Sequence, residues 1–122
     1  MFKAITNNVM ERIDEAVKDN PIIIFTKGTP KFSIDELSRR SLAIMKGYDL
    51  PFVYVDLLED VDTYQHLPRY KDYVRFPQLY VAGELIGDHD VLVRMHEKGT
   101  LKPAFEAAIE EAESRPKNKK ED

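Results

Sequence analysis

The sequence predicts an α/β fold in which a mixed four-stranded sheet lies between layers of helices. Three observations carry this. Apolar residues recur at three- and four-residue steps in several segments, as in amphipathic helices. Between those segments lie short runs rich in β-branched residues, IIIF at Ile22 to Phe25 and PFVYVDLL at Pro51 to Leu58, which suit strands. Finally, QLYV and ELI flank Ala82-Gly83, a two-residue loop suited to a tight hairpin.

Taken in order, Phe2, Ile5, Val9, Ile13, Ala16 and Val17 form one apolar stripe, predicting a helix that ends near Asp19. Pro21 closes it, and the unbroken apolar run after it suits a strand buried on both faces. A second helix carries Leu37, Leu42, Ala43, Ile44 and Met45 and stops at Gly47, a residue type favoured at C′. The strand PFVYVDLL follows. A polar helix then runs from Asp60 to about Tyr73, kinked or broken at Pro68. After the hairpin come helices from His89 to about Lys98 and from Leu101 to Ala112. The first two strands, joined by a helical crossover, are expected to be parallel with a right-handed connection. The last two are antiparallel. This order of elements is that of the thioredoxin fold, a mixed sheet flanked by helices. Residues 1–113 are expected to form the domain and residues 114–122, SRPKNKKED, a charged flexible tail.

Composition narrows the function. The 122 residues are enough for one domain with its own core. A net charge of -4 argues against non-specific nucleic-acid binding, which needs a basic surface. No apolar run approaches a membrane span, and the first residues lack the apolar core of a signal peptide, so a cytoplasmic location is expected. Cysteine is absent. That removes thiol–disulfide exchange, thiolate zinc sites and cysteine-ligated clusters from what the chain does alone. No acid–base pair or Ser-His-Asp set stands out. KGTPK lacks the second glycine and the G-K-[ST] ending of a phosphate loop.

NPIIIFTKGTPK, FVYVDLLEDVD, HLPRY, FPQLYVAGELIG and HDVLVRMHEKGTLKPAF together resemble successive segments of a monothiol glutaredoxin of the CGFS type. The resemblance spans about residues 5–110. It implies a thioredoxin fold with a cis Phe76–Pro77 bond, a groove for glutathione, and a [2Fe–2S] cluster held by the motif cysteine and glutathione. The motif itself is absent. Its four positions hold Asp35, Glu36, Leu37 and Ser38, and a family proline just before them is Ser33. The family's Trp-Pro-Thr is Tyr73, Val74 and Arg75; its Gly-Gly-Cys-Asp is Gly87, Asp88, His89 and Asp90. A glutathione-binding arginine falls at Tyr64.

Of the contacts that the resemblance implies for glutathione, Lys27 for a carboxylate, Pro77 for exposed backbone and Asp90 for the amine remain. The resemblance also places Arg75, Phe76 and Asp88 along the same vestigial groove. The aromatics Tyr64, Tyr70, Tyr73, Phe76 and Tyr80 are expected around it. His66 and His96 are expected on solvated helix surfaces. SIDE at Ser33 to Glu36 reads as a capping box, Ser33 accepting from the Glu36 N–H and Glu36 reaching back. Asp35 adds a carboxylate to that turn. Asp35, Asp88, His89 and Asp90 also offer metal-ligand chemistry, but no spacing there is diagnostic, and acidic helix caps are the preferred reading.

The expected function is a cysteine-less glutaredoxin-like binding module with no catalytic residue, no cofactor, and no thiol–disulfide or cluster-ligating activity. Resemblance points its partners towards iron–sulfur assembly or BolA-type proteins. The alternative is a glutathione- or divalent-metal-binding protein that uses the remodelled acidic groove.

Overall fold

A computed structural model describes residues 8–33 and 35–115. Helix α1 (Val9–Asp19) starts at Asn8, whose side chain accepts from the Met10 N–H at 2.9 Å and satisfies an otherwise unpaired donor. Its stripe buries Ile13 and Val17. The earlier turns expected around Phe2 and Ile5 lie outside the described residues, as does residues 116–122 of the expected tail. After β1 (Ile22–Thr26) come α2 (Glu36–Lys46), β2 (Val53–Asp56) and α3 (Val61–Tyr70). The hairpin strands β3 (Gln78–Val81) and β4 (Glu84–Gly87) follow, then α4 (His89–Lys98) and α5 (Leu101–Glu113).

The sheet order is β2-β1-β3-β4, with β1 and β2 parallel and the other pairs antiparallel. It is a thioredoxin-like fold. The unbroken apolar run of β1 is explained by its central place, because alternate residues enter different cores. Ile22 and Ile24 pack with Leu42, Met45, Leu92 and Phe105 beneath α2, α4 and α5. Ile23 and Phe25 pack with Ile13, Val17, Leu67 and Tyr80 beneath α1 and α3. Phe25 and Tyr80 meet edge to face at 5.6 Å. Each such fully buried side chain contributes roughly 1.5–3 kcal/mol through removal from water. Among the described residues no helix is long and apolar enough to cross a membrane.

Several local expectations change. The second strand is shorter than PFVYVDLL, because Leu57 turns fully into the core and Leu58 outward. Pro68 does not break α3. It sits near the C-terminal end, where the buried Leu67 holds the turn, and the helix runs on to Tyr70. Gly47 is right-handed, with φ of −66°, and its N–H bonds to Ala43 and Ile44 carbonyls. The left-handed residue there is Asp49 (φ 55°), while Gly99 (φ 77°) takes the left-handed cap position after α4. In the hairpin both Ala82 (φ 53°) and Gly83 (φ 80°) are left-handed, the twist that joins adjacent antiparallel strands. The Phe76–Pro77 bond is cis.

Candidate functional site

The site lies where the end of β1, the start of α2 and the Pro77 turn meet. Gly28 (φ 114°) turns the chain out of β1, and its N–H bonds to Asp56 at 3.0 Å. The loop folds back on itself through a Gly28–Ser33 bridge. Ser33 donates its hydroxyl to the Thr29 carbonyl at 2.6 Å. It therefore does not cap α2.

Asp35 does. Its backbone is extended (φ −110°, ψ 124°), and its carboxylate accepts from both the N–H and the hydroxyl of Ser38 at 3.1 Å. The Ser38 hydroxyl in turn accepts the Lys27 N–H at 3.0 Å. The capping-box expectation thus misplaces the helix start by two residues. Glu36 does not reach back. It turns outward to Arg39 and Arg40, at 2.5 and 2.9 Å. Their hydrogen bonds, Arg39's first, hold its carboxyl below the usual range. Where the family has its cysteine, this chain has a carboxylate that occupies the helix-start donors itself.

Across from this turn, the Phe76 and Tyr64 rings meet edge to face at 5.4 Å. The Lys27 ammonium lies 5.3 Å from the Phe76 centroid and 5.6 Å from that of Tyr64. Tyr64, at the position of the family arginine, therefore gives Lys27 a π-face rather than a neighbouring cation. The expected aromatic group divides. Tyr80 is fully buried, and Tyr70 packs on it while donating to Asp14 at 2.5 Å. Burial first, then the Asp14 carboxylate, pushes the Tyr70 hydroxyl up.

At the start of α4, Asp88 occupies the N-cap position but makes no cap hydrogen bond. Its carboxylate receives Arg75 Nε instead, while Arg75 Nη2 donates to Asp90 at 3.0 Å. The Asp88 side chain is 6% exposed and those of Arg75 and Asp90 about ten times more so, at 59% and 63%. Burial pushes the Asp88 carboxyl up, but Arg75 and then the Tyr73 hydroxyl together offset this and hold it below its ordinary value. Burial, and then the nearby Asp88 charge, raises the Tyr73 hydroxyl. Tyr73, Arg75, Asp88, Asp90, Val91 and Arg94 line a hollow of ≈ 230 Å³.

The metal-ligand candidates are otherwise engaged. Asp35 caps α2, Arg75 holds Asp88 and Asp90, and buried His89 pairs through Nδ1 with the Ser41 hydroxyl at 2.7 Å. Among the described residues no group of three or more His, Asp or Glu side chains is placed to hold a metal ion. His66 is half-buried, not fully solvated, and its Nδ1 donates to the Asp62 carbonyl at 2.8 Å, whereas exposed His96 pairs with the Tyr48 hydroxyl at 2.6 Å. Sequence reasoning missed the Arg75 fork. A basic and an acidic residue replacing a threonine and a glycine of the family were its only signal. It also missed the Glu36–Arg40 pair, although the i,i+4 spacing was visible.

The residues present do not fit a [2Fe–2S] cluster of the kind the resemblance implies. Its protein ligand is a thiolate, and the corresponding side chain is a carboxylate bonded into a helix cap.

Comparison with known proteins matches residues 22–86 to the glutaredoxin family. Glutaredoxin 4 of Buchnera aphidicola subsp. Schizaphis graminum is 39% identical over 102 residues, covering 84% of this chain and 95% of its own. Glutaredoxin 4 of Escherichia coli K12 is 34% identical over 95 residues, covering 78% and 83%. The solution structure of reduced apo GrxS14 from poplar superposes with a TM-score of 0.71 at 32% identity, covering 87% of this chain and 97% of that one. With the fold and these likenesses in agreement, the chain belongs to the glutaredoxin family, as a member without cysteine.

Proposed function

We propose that this chain is a non-catalytic binding module of the family, working beside iron–sulfur or redox proteins without exchanging thiols or ligating a cluster. The observation that carries this reading is Asp35. The residue at the reactive position is bonded to the N–H and hydroxyl of Ser38. A carboxylate neither attacks a disulfide nor supplies the sulfur of a cluster ligand. The groove is altered in the same sense. The Asp90 carboxylate expected to meet a tripeptide amine is held by Arg75, so a ligand there has to displace an existing pair. Around the site, Phe32, Leu37 and Val74 are 78%, 41% and 73% exposed. Apolar side chains left in water beside an inactive site suit protein contact. A BolA-type or iron–sulfur assembly protein is the proposed partner class.

The alternative, glutathione binding, has Lys27 in its favour. The two readings separate experimentally. Purified protein should show no turnover with glutathione-mixed disulfides and no cluster absorbance after reconstitution with glutathione. A BolA-type protein from the same host should bind it in calorimetry. Cluster absorbance or thiol transfer would end the non-catalytic reading. Amide shifts at Lys27 and Asp90 on adding glutathione, with no binding of the BolA-type protein, would favour the ligand-binding one.

A further inference from the structure

Away from the vestigial groove, α2 presents a second surface. Its sequence has one acidic residue, Glu36, against Arg39, Arg40 and Lys46. Glu36 is shared between Arg39 and Arg40, so one carboxylate serves two guanidiniums and positive charge remains in excess. This contrasts with α5, which has four glutamates and one lysine, and with a chain whose net charge is -4. Beside the basic face lies a cleft of ≈ 400 Å³ lined by Pro30, Arg39, Leu42, Ala43 and Lys46. Its lining combines apolar Pro30, Leu42 and Ala43 with two cations. Leu42 is 1% exposed and belongs to the core, so the apolar surface open to a partner is that of Pro30 and Ala43. Arg39 and Lys46 stand two helical turns apart on one stripe, about 10 Å along the axis, with Ala43 between them. Lys31 and Phe32 are exposed in the adjoining loop.

We infer that this cleft is a docking site for a protein segment that places an apolar side chain between carboxylates. Pro30 and Ala43 contact the side chain, Lys46 meets one flanking carboxylate, and Arg39 meets the other by exchanging Glu36, which keeps Arg40. A second copy of this chain fits less well. Pairing the basic face of α2 with the acidic α5 of another copy joins unlike surfaces head to tail, and such contacts do not close into a dimer. The inference rests on the reading of the chain as a binding module and adds the chemistry of the partner.

The test uses the full chain and three capped peptides: DELFED, its charge-reversed form KRLFRK, and DEGSED, which lacks the apolar pair. DELFED should shift the amides of Phe32, Arg39, Ala43 and Lys46 and leave those of Lys27 and Asp88 in place. KRLFRK and DEGSED should bind at least about tenfold more weakly. The exposed double variant Arg39→Glu/Lys46→Glu should lose at least about tenfold in affinity for DELFED while staying folded, its far-UV circular dichroism matching the parent's. Equal binding of DELFED and KRLFRK, or no shifts with DELFED at about millimolar concentration, overturns the inference. So does retention by phosphatidylserine vesicles that depends on Arg39 and Lys46 when DELFED does not bind, since the occupant is then a lipid surface. Self-association abolished by the double variant overturns it in favour of a second copy. If the BolA-type protein binds parent and double variant equally, this cleft fails as its docking site while the binding-module reading stands.

Discussion

Two helix starts in this molecule hold an acidic residue where relatives of the CGFS type have a different one, and they use it in different ways. Asp35 stands before α2 and bonds to Ser38, three residues on. Asp88 stands before α4 with an extended backbone of its own, yet makes no such bond. It reaches instead to Arg75, thirteen residues earlier in the chain. The first aspartate closes a local loop of hydrogen bonds and quenches the site from within the helix. The second joins two walls of the groove. The same side chain at the same helical position is thus a cap in one case and a cross-link in the other. What differs is the nearest competing donor. Ser38 offers both an N–H and a hydroxyl to Asp35, whereas a guanidinium lies beside Asp88 and makes a stronger, charge-assisted bond than a neutral amide.

The largest effect should come from undoing both substitutions. Asp35→Cys alone places a thiol at a helix N-terminus, where thiolate is favoured, so it should react with iodoacetamide. As a thiol-transfer catalyst it should be poor. Adding Arg75→Thr and Asp88→Gly removes the fork and should raise the rate with a glutathione-mixed disulfide by about tenfold or more, because poor positioning costs orders of magnitude. If the single variant is as fast as the triple one, the Asp88 cross-link is no obstacle and the comparison loses its functional meaning.

A smaller effect separates the cap from its neighbour. Asp35→Ala should lower stability by about 0.5–2 kcal/mol, since it frees the Ser38 N–H and hydroxyl. Ser33→Ala removes only a hydroxyl bond to Thr29 and should cost less, about 0.5 kcal/mol. Urea denaturation orders the two; a larger loss for Ser33→Ala would restore the capping box.

The smallest effect depends on pH. Arg75 is 59% exposed, so solvent screens the pair and Arg75→Ala should lower stability only slightly near neutrality. Arg75 helps hold the Asp88 carboxyl below its ordinary 3.8. A depressed carboxyl stabilises the fold above its unfolded value, and that contribution is lost as pH falls through the folded one. The stability gap between parent and Arg75→Ala should therefore be flat between about pH 6 and 8 and narrow below about pH 4. A gap that widens on acidification would show that Arg75 acts through something other than Asp88.

Much of this was visible in the chain itself. The strand-like character of IIIF, the Ala82-Gly83 hairpin and the helix beginning at His89 follow from local patterns, and each is found at or near its expected bounds. So does the loss of thiol chemistry, because a cysteine is either in the sequence or not. The start of α2 was less legible. Ser33 and Asp35 are both good caps, and the choice between them was made by the loop, which uses the Ser33 hydroxyl to fold Thr29 back and leaves Asp35 at the first helical turn.

By itself, then, the sequence determined the order and kind of the elements, the parallel and antiparallel pairings and the absence of a nucleophilic sulfur. These depend on periodicity, turn chemistry and composition, which act over a few residues at a time. Only the tertiary structure decided where the polar side chains spend their bonds. It set Arg75 between Asp88 and Asp90, Lys27 over Tyr64 and Phe76, and His89 against Ser41. Each of these partnerships joins residues far apart in the chain. Which of several competing donors and acceptors a charge meets is a matter of distance after folding, and a charge-assisted bond displaces a weaker local one only when packing brings its partner near.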